Sequence, residues 1–222
     1  MKLRHTRLSL SAHGTWLAAR LDHAPDVRGL ILIPQSITSA APTIEATGNF
    51  ELAVTRAMQQ AGFATFALDL LTDEEARDPD ARFNVANLGE RLLAALEWIH
   101  YQPQLLALPL GIFATDTAAA AAIRAAAHLP AQLGALAILA GRPDLAGAAP
   151  LRALKIPACF ISGRDNPRAD ILRQAFELTA EPHAWQETPG GEAENMSADR
   201  LAAAAEIATG WMLSHLPPRS AE

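Results

Sequence analysis

The stretch "GIFATDTAAAAAIRAAA", residues 111–127, decides how the rest of the chain is read. Its first five residues form a short apolar run of the kind that lies buried on both faces of a parallel sheet. From Ala118 the alanine-rich run has high helix propensity. Asp116 therefore stands at the apex of a tight strand-to-helix turn. Aspartate tolerates the left-handed backbone of such an apex better than most residues with a side chain.

Working outward, the same alternation repeats. "LRHTRLSLSA" and "GTWLAARLDH", joined by His13-Gly14, read as an antiparallel hairpin at a sheet edge. "VRGLILIP" is a buried strand, followed by a long loop, "QSITSAAPTIEATGN", the natural lid over a site. Then come a helix (50–62), a strand (63–71), the charged loop "TDEEARDPDARFN" and a helix (85–102). Beyond residue 127 follow a strand (133–141), the loop "RPDLAGAAP", a strand (156–163), a helix (171–180), a strand (183–188) and a closing helix (200–216). The expectation is one α/β domain spanning 1–222, with a mostly parallel sheet of about eight strands and helices on both faces.

Composition narrows the function. Of 222 residues, 50% are hydrophobic, and the formal net charge of −6 is spread along the chain. There is no basic patch for nucleic acid and no apolar run of the ~18 residues a membrane span needs. The opening residues lack the apolar core of a signal peptide, which points to a cytoplasmic protein. Cys159, the only cysteine, rules out an internal disulfide and a cysteine-based zinc site, and reads as a small buried hydrophobe. The residues imply neither a cofactor nor a metal. A small-molecule ligand, a protein partner or a homodimer is left open.

Five segments carry a resemblance: "FALDLLTDEEA", "RFNVANLGERLLAALEWI", "GIFATDTAAAA", "LAGRPDLAG" and "ISGRDNP". On these the chain resembles the α/β-hydrolases of the dienelactone hydrolase-like group over nearly its whole length. The resemblance implies a nucleophile, an acid and a histidine, in that chain order, at the C-terminal edge of the sheet. At the nucleophile position, within Ala114-Thr115-Asp116-Thr117-Ala118, stands Asp116, and both flanking glycines of the family motif are alanines. The acid position matches Asp165 in "SGRDNP", and the histidine position falls at Ala193 in "PGGEAEN". No histidine occurs between residues 184 and 214. The family's oxyanion-loop "H-G" corresponds to Gln35-Ser36, leaving the N–H groups of Ile37 and Thr117 as an anion-binding pair.

With the histidine absent, the resemblance implies a degenerate triad. Aspartate at an elbow serves haloalkane dehalogenases and epoxide hydrolases, whose alkyl-enzyme ester is then hydrolysed by histidine-activated water. Here only Glu192 or Glu194 could take that second step, as weak bases near a reference pKa of ~4.3. Three roles are open to Asp116: N-cap of the alanine-rich helix, polar contact to a ligand, or covalent nucleophile. Capping is the preferred expectation. Gln35, Ser36, Ile37, Thr115, Thr117 and Glu192 are the candidate binding residues. The leading reading is a non-hydrolytic pseudoenzyme that binds a small ligand or a partner. The others are an enzyme with altered chemistry (hydrolase, dehalogenase-like or lyase) built on Asp116 and Asp165, and a purely structural subunit. Asp69 reads as part of a solvated acidic loop, and Arg142 and Asp144 as a pair that holds theirs.

Overall fold

A computed structural model describes residues 2–36, 44–180, 183–188 and 198–218. An edge hairpin comes first, β1 (Arg4–Ala12) and β2 (Thr15–His23), turned by His13 and Gly14 at φ 49° and 82°. Two successive left-handed residues make the tight turn that matches strand twist. Then follow β3 (Leu30–Gln35), α1 (Ile44–Gln60), β4 (Ala64–Asp69), α2 (Val85–His100), β5 (Leu110–Thr115) and α3 (Ala118–His128). The chain continues through β6 (Ala135–Leu139), α4 (Ala148–Ala153), β7 (Ala158–Gly163), α5 (Ala169–Glu177), β8 (His183–Thr188) and α6 (Ala198–His215).

The strands form one eight-stranded sheet in the order β1-β2-β4-β3-β5-β6-β7-β8. The β1–β2 and β2–β4 pairs are antiparallel, and all others are parallel. Side-chain alternation sends Leu30, Leu32, Ile112, Leu136 and Phe160 to one core, under α2, α3, α4 and α5. Ile31, Ile33, Phe113, Ala137 and Ile161 go to a second core, under α1 and α6. Both faces are covered, so the central strands are apolar without a break. Seven alanines of α3 are buried, and their small side chains let that helix lie close on the sheet.

Two boundaries differ from the sequence reading. α1 begins at Ile44 rather than near Phe50, since an established helix extends at one hydrogen bond per residue and absorbs Gly48. α4 forms a short helix from a segment read as the end of a loop, where Leu151 is buried among the other helices. Among the described residues, no helix is long and apolar enough to cross a membrane.

Candidate functional site

The turn between β5 and α3 has the expected strain. Asp116 sits at φ 44° with its side chain one-fifth exposed. Ala114 and Ala118 on either side are buried, so alanine suffices where the family motif has glycine. The small residue the turn does require lies elsewhere. Gly141 follows β6 at φ 74°, and a Cβ there would stand 2.9 Å from the Asp116 carbonyl oxygen and 3.1 Å from Ala119 Cβ. Arg142 N–H donates to that same carbonyl at 2.9 Å. The loop after β6 thus braces the elbow from behind.

The capping expectation for Asp116 is corrected. The residue at the N-cap of α3 is Thr117, and no side chain of its own caps the helix. Ser36, just past β3, takes that place from across the sheet: Ala118 N–H donates to Ser36 Oγ at 3.3 Å. The Ser36 hydroxyl in turn donates to Asp116 Oδ2 at 3.3 Å. A residue in the left-handed region does not present its carboxylate to the N–H groups of the next turn, whereas a hydroxyl arriving from β3 does reach them.

Arg82 Nη1 stands 3.8 Å from Asp116 Oδ2. Two further atoms of this site lack a hydrogen-bond partner among the described residues: the Thr117 hydroxyl, on a residue with no exposed surface, and Arg82 Nε. Arg82 comes from the loop between β4 and α2, which is fixed by a buried clamp. Arg91 of α2 donates from Nη1 and Nη2 to the two oxygens of Glu75, at 2.6 Å each, and from Nη1 to Leu70 O at 2.7 Å. Thr72 N–H donates to Glu75 Oε2 and Glu75 N–H to Thr72 Oγ1, a reciprocal cap of the first short turn. The Arg91 guanidinium holds the Glu75 carboxyl down at about 2. This loop, read from sequence only as charged, supplies the one cation in ion-pair contact with the Asp116 carboxylate among the described residues. Its legible signal is the Thr72-x-x-Glu75 spacing.

The other candidates separate. Asp165 is exposed and makes no hydrogen bond or ion pair with a described residue. The buried side chain of that loop is its neighbour Asn166, which donates from Nδ2 to Ser162 Oγ at 3.4 Å and accepts from Arg168 N–H at 2.9 Å. Thr115 is half-buried at the end of β5. Gln35 lines a cavity on the α1 side of the sheet. Ile37, Glu192 and Ala193 lie outside the described residues. Arg142 grips Asp144 through two bonds, Nε to Oδ1 at 2.9 Å and Nη2 to Oδ2 at 2.8 Å. That pairing raises the Arg142 pKa, with the Asp116 carboxylate adding to it.

Asp69 is corrected from a solvated to a half-buried group. Burial, and secondarily Asp73, pushes its carboxyl up to about 6. Cys159 is fully buried and its thiol is pushed up to about 12 by desolvation, which leaves it inert as a nucleophile. Among the described residues, no three His, Cys, Asp or Glu side chains are grouped to hold a metal.

Comparison with solved structures fits this geometry. A dienelactone hydrolase from Anabaena variabilis superposes with a TM-score of 0.85 at 27% identity, over 97% of this chain and 100% of its own. The chain belongs to the α/β-hydrolase superfamily. Within that superfamily it has the dienelactone hydrolase-like fold, and an esterase domain from Rhodothermus marinus also superposes, with a TM-score of 0.72 at 15% identity over 94% of this chain and 98% of its own. In sequence the chain is 30% identical, over 96% of its length, to two Mycobacterium tuberculosis proteins provisionally named phosphoribosyl transferases. It spans about half their length, 47%. No protein-family model matches the chain.

Proposed function

We propose that this α/β-hydrolase is a non-hydrolytic member whose elbow binds a small polar ligand instead of attacking it. The observation that carries the reading is the state of Asp116: its carboxylate is held by the Ser36 hydroxyl and faces Arg82, with no histidine bonded to it. All seven histidines of the chain lie among the described residues, in the edge hairpin, near helix C-termini or at the start of β8. Without a base of pKa near neutrality, an ester formed on Asp116 would have no means of release. Asp165, at the acid position that the resemblance implies, is exposed and has no partner among the described residues.

The same site retains hydrogen-bonding capacity. The Thr117 hydroxyl and Arg82 Nε are buried polar groups without partners among the described residues, a costly state that a bound polar molecule would relieve. Such a ligand would accept from both while Asp116 accepts from it.

The test is a panel of esters, lactones, haloacids and epoxides, run on the wild-type chain and on Asp116→Asn, with intact-mass spectrometry for trapped adducts. No turnover and no adduct in either protein is the expected result. Turnover or an adduct that disappears in Asp116→Asn would make Asp116 a nucleophile and end the pseudoenzyme reading.

A further inference from the structure

The face of the sheet under α1 and α6 is covered over β3, β5, β6 and β7, whereas over β1, β2 and β4 it opens beside α1. Strand register decides which side chains meet there. Arg7 of β1 stands directly opposite Arg20 of β2, and Ser9 opposite Ala18. Arg20 is paired across to Ala67 of β4, and Asp69 to Gln35 of β3. Together with Leu52 and Thr55 of α1, these residues line a cavity of about 750 Å³. That size lies within the ~300–1,000 Å³ typical of small-molecule sites.

Its electrostatics are unbalanced in one direction. Two arginines abreast on neighbouring strands repel each other. The Arg7 side chain makes no hydrogen bond or ion pair among the described residues. Arg20 Nε lies 3.3 Å from Asp22 Oδ2, yet is buried without an aligned hydrogen bond. The Asp22 carboxylate is already engaged by Gln59 Nε2 and His5 Nδ1, at 2.8 Å each. Asp69, the acid among the lining residues, is pushed up to about 6 by burial and secondarily by Asp73, and it forms no ion pair with either arginine among the described residues.

We propose that this groove is a binding site for a small molecule bearing a carboxylate or phosphate group, its oxyanion held between Arg7 and Arg20 and its apolar body along Ala18, Ala67 and Leu52. Guanidinium forks match the two oxygens of either anion, and an anion between two such forks removes their repulsion. Asp69 and Gln35 form the polar far end. The site is separate from the elbow, since Asp116, Thr117 and Arg82 do not line it.

The experiment titrates the ¹⁵N-labelled full chain with inorganic phosphate and, in parallel, with benzoate, following the arginine Nε–Hε resonances. The expected result is a saturable shift of Arg7 and Arg20 with at least one probe. Benzoate as the tighter probe would mark a carboxylate ligand, and phosphate a phosphate ester. Arg7→Gln, which removes no contact of the fold, should weaken binding about tenfold or more. Arg152→Gln, an exposed charge on α4, should leave it unchanged. Non-saturable shifts with both probes, equal affinity in Arg7→Gln, or shifts confined to Arg82 would overturn the site.

Discussion

The loop after β5 and the loop after β7 sit at the same edge of the sheet, where the sequence resemblance implies a nucleophile and an acid, and they are built differently. The β5 loop retains its geometry: Asp116 is held at φ 44°, Gly141 packs behind it, and Ser36 ties it to the start of α3. The β7 loop is held through Asn166, whereas Asp165 is exposed and has no partner among the described residues. The difference teaches what each feature depends on. A strand-to-helix turn is imposed by core packing and survives a change of the residue at its apex. An exposed loop carboxylate is held by no such packing.

That comparison can be broken most strongly through the clamp that delivers Arg82. Arg91→Met leaves Glu75 without its partner and should cost about 3 kcal/mol in urea unfolding. The same clamp has a pH signature. Glu75 ionises at about 2 in the folded chain, against a reference of ~4.3, so its contribution is full above about pH 5 and is lost as the pH falls towards 2. In Arg91→Met this part of the acid dependence should shrink, which a pH series of melting curves reads directly. Next in size is Gly141→Ala, which puts a Cβ against the elbow carbonyl in left-handed backbone and should cost about 2 kcal/mol. An effect near zero would mean that the elbow is not braced from β6. Ser36→Ala removes the acceptor for Ala118 N–H and the donor to Asp116, with an expected loss of about 1 kcal/mol. The smallest change belongs to Asp165→Ala, within about 0.5 kcal/mol of wild type. A larger loss there would show that the β7 loop still depends on its acid.

Much of the fold was legible because parallel strands buried on both faces write themselves as unbroken apolar runs, and "LILIP", "GIFAT" and "ACFIS" are such runs. The elbow was legible for a similar reason, since apolar strand, small residues and alanine helix follow one another without a gap. The role of Asp116 was not. Its partners, Ser36 and Arg82, lie 80 and 34 residues away in sequence, and capping was inferred from local spacing alone. Asp69 was misread in the same way: nothing adjacent to it in sequence reveals the burial that raises its pKa.

The sequence by itself determined the order of strands and helices, the turn at residue 116 and the absence of histidine from residues 184–214, because these are local patterns or plain counts. Only the tertiary structure decided which side chains share a site. It gave the cap of α3 to Ser36, set Arg82 beside Asp116, left Asp165 exposed and stood Arg7 against Arg20 on an open face. Those outcomes depend on register and crossover, which join residues far apart in the chain through contacts that no local window contains.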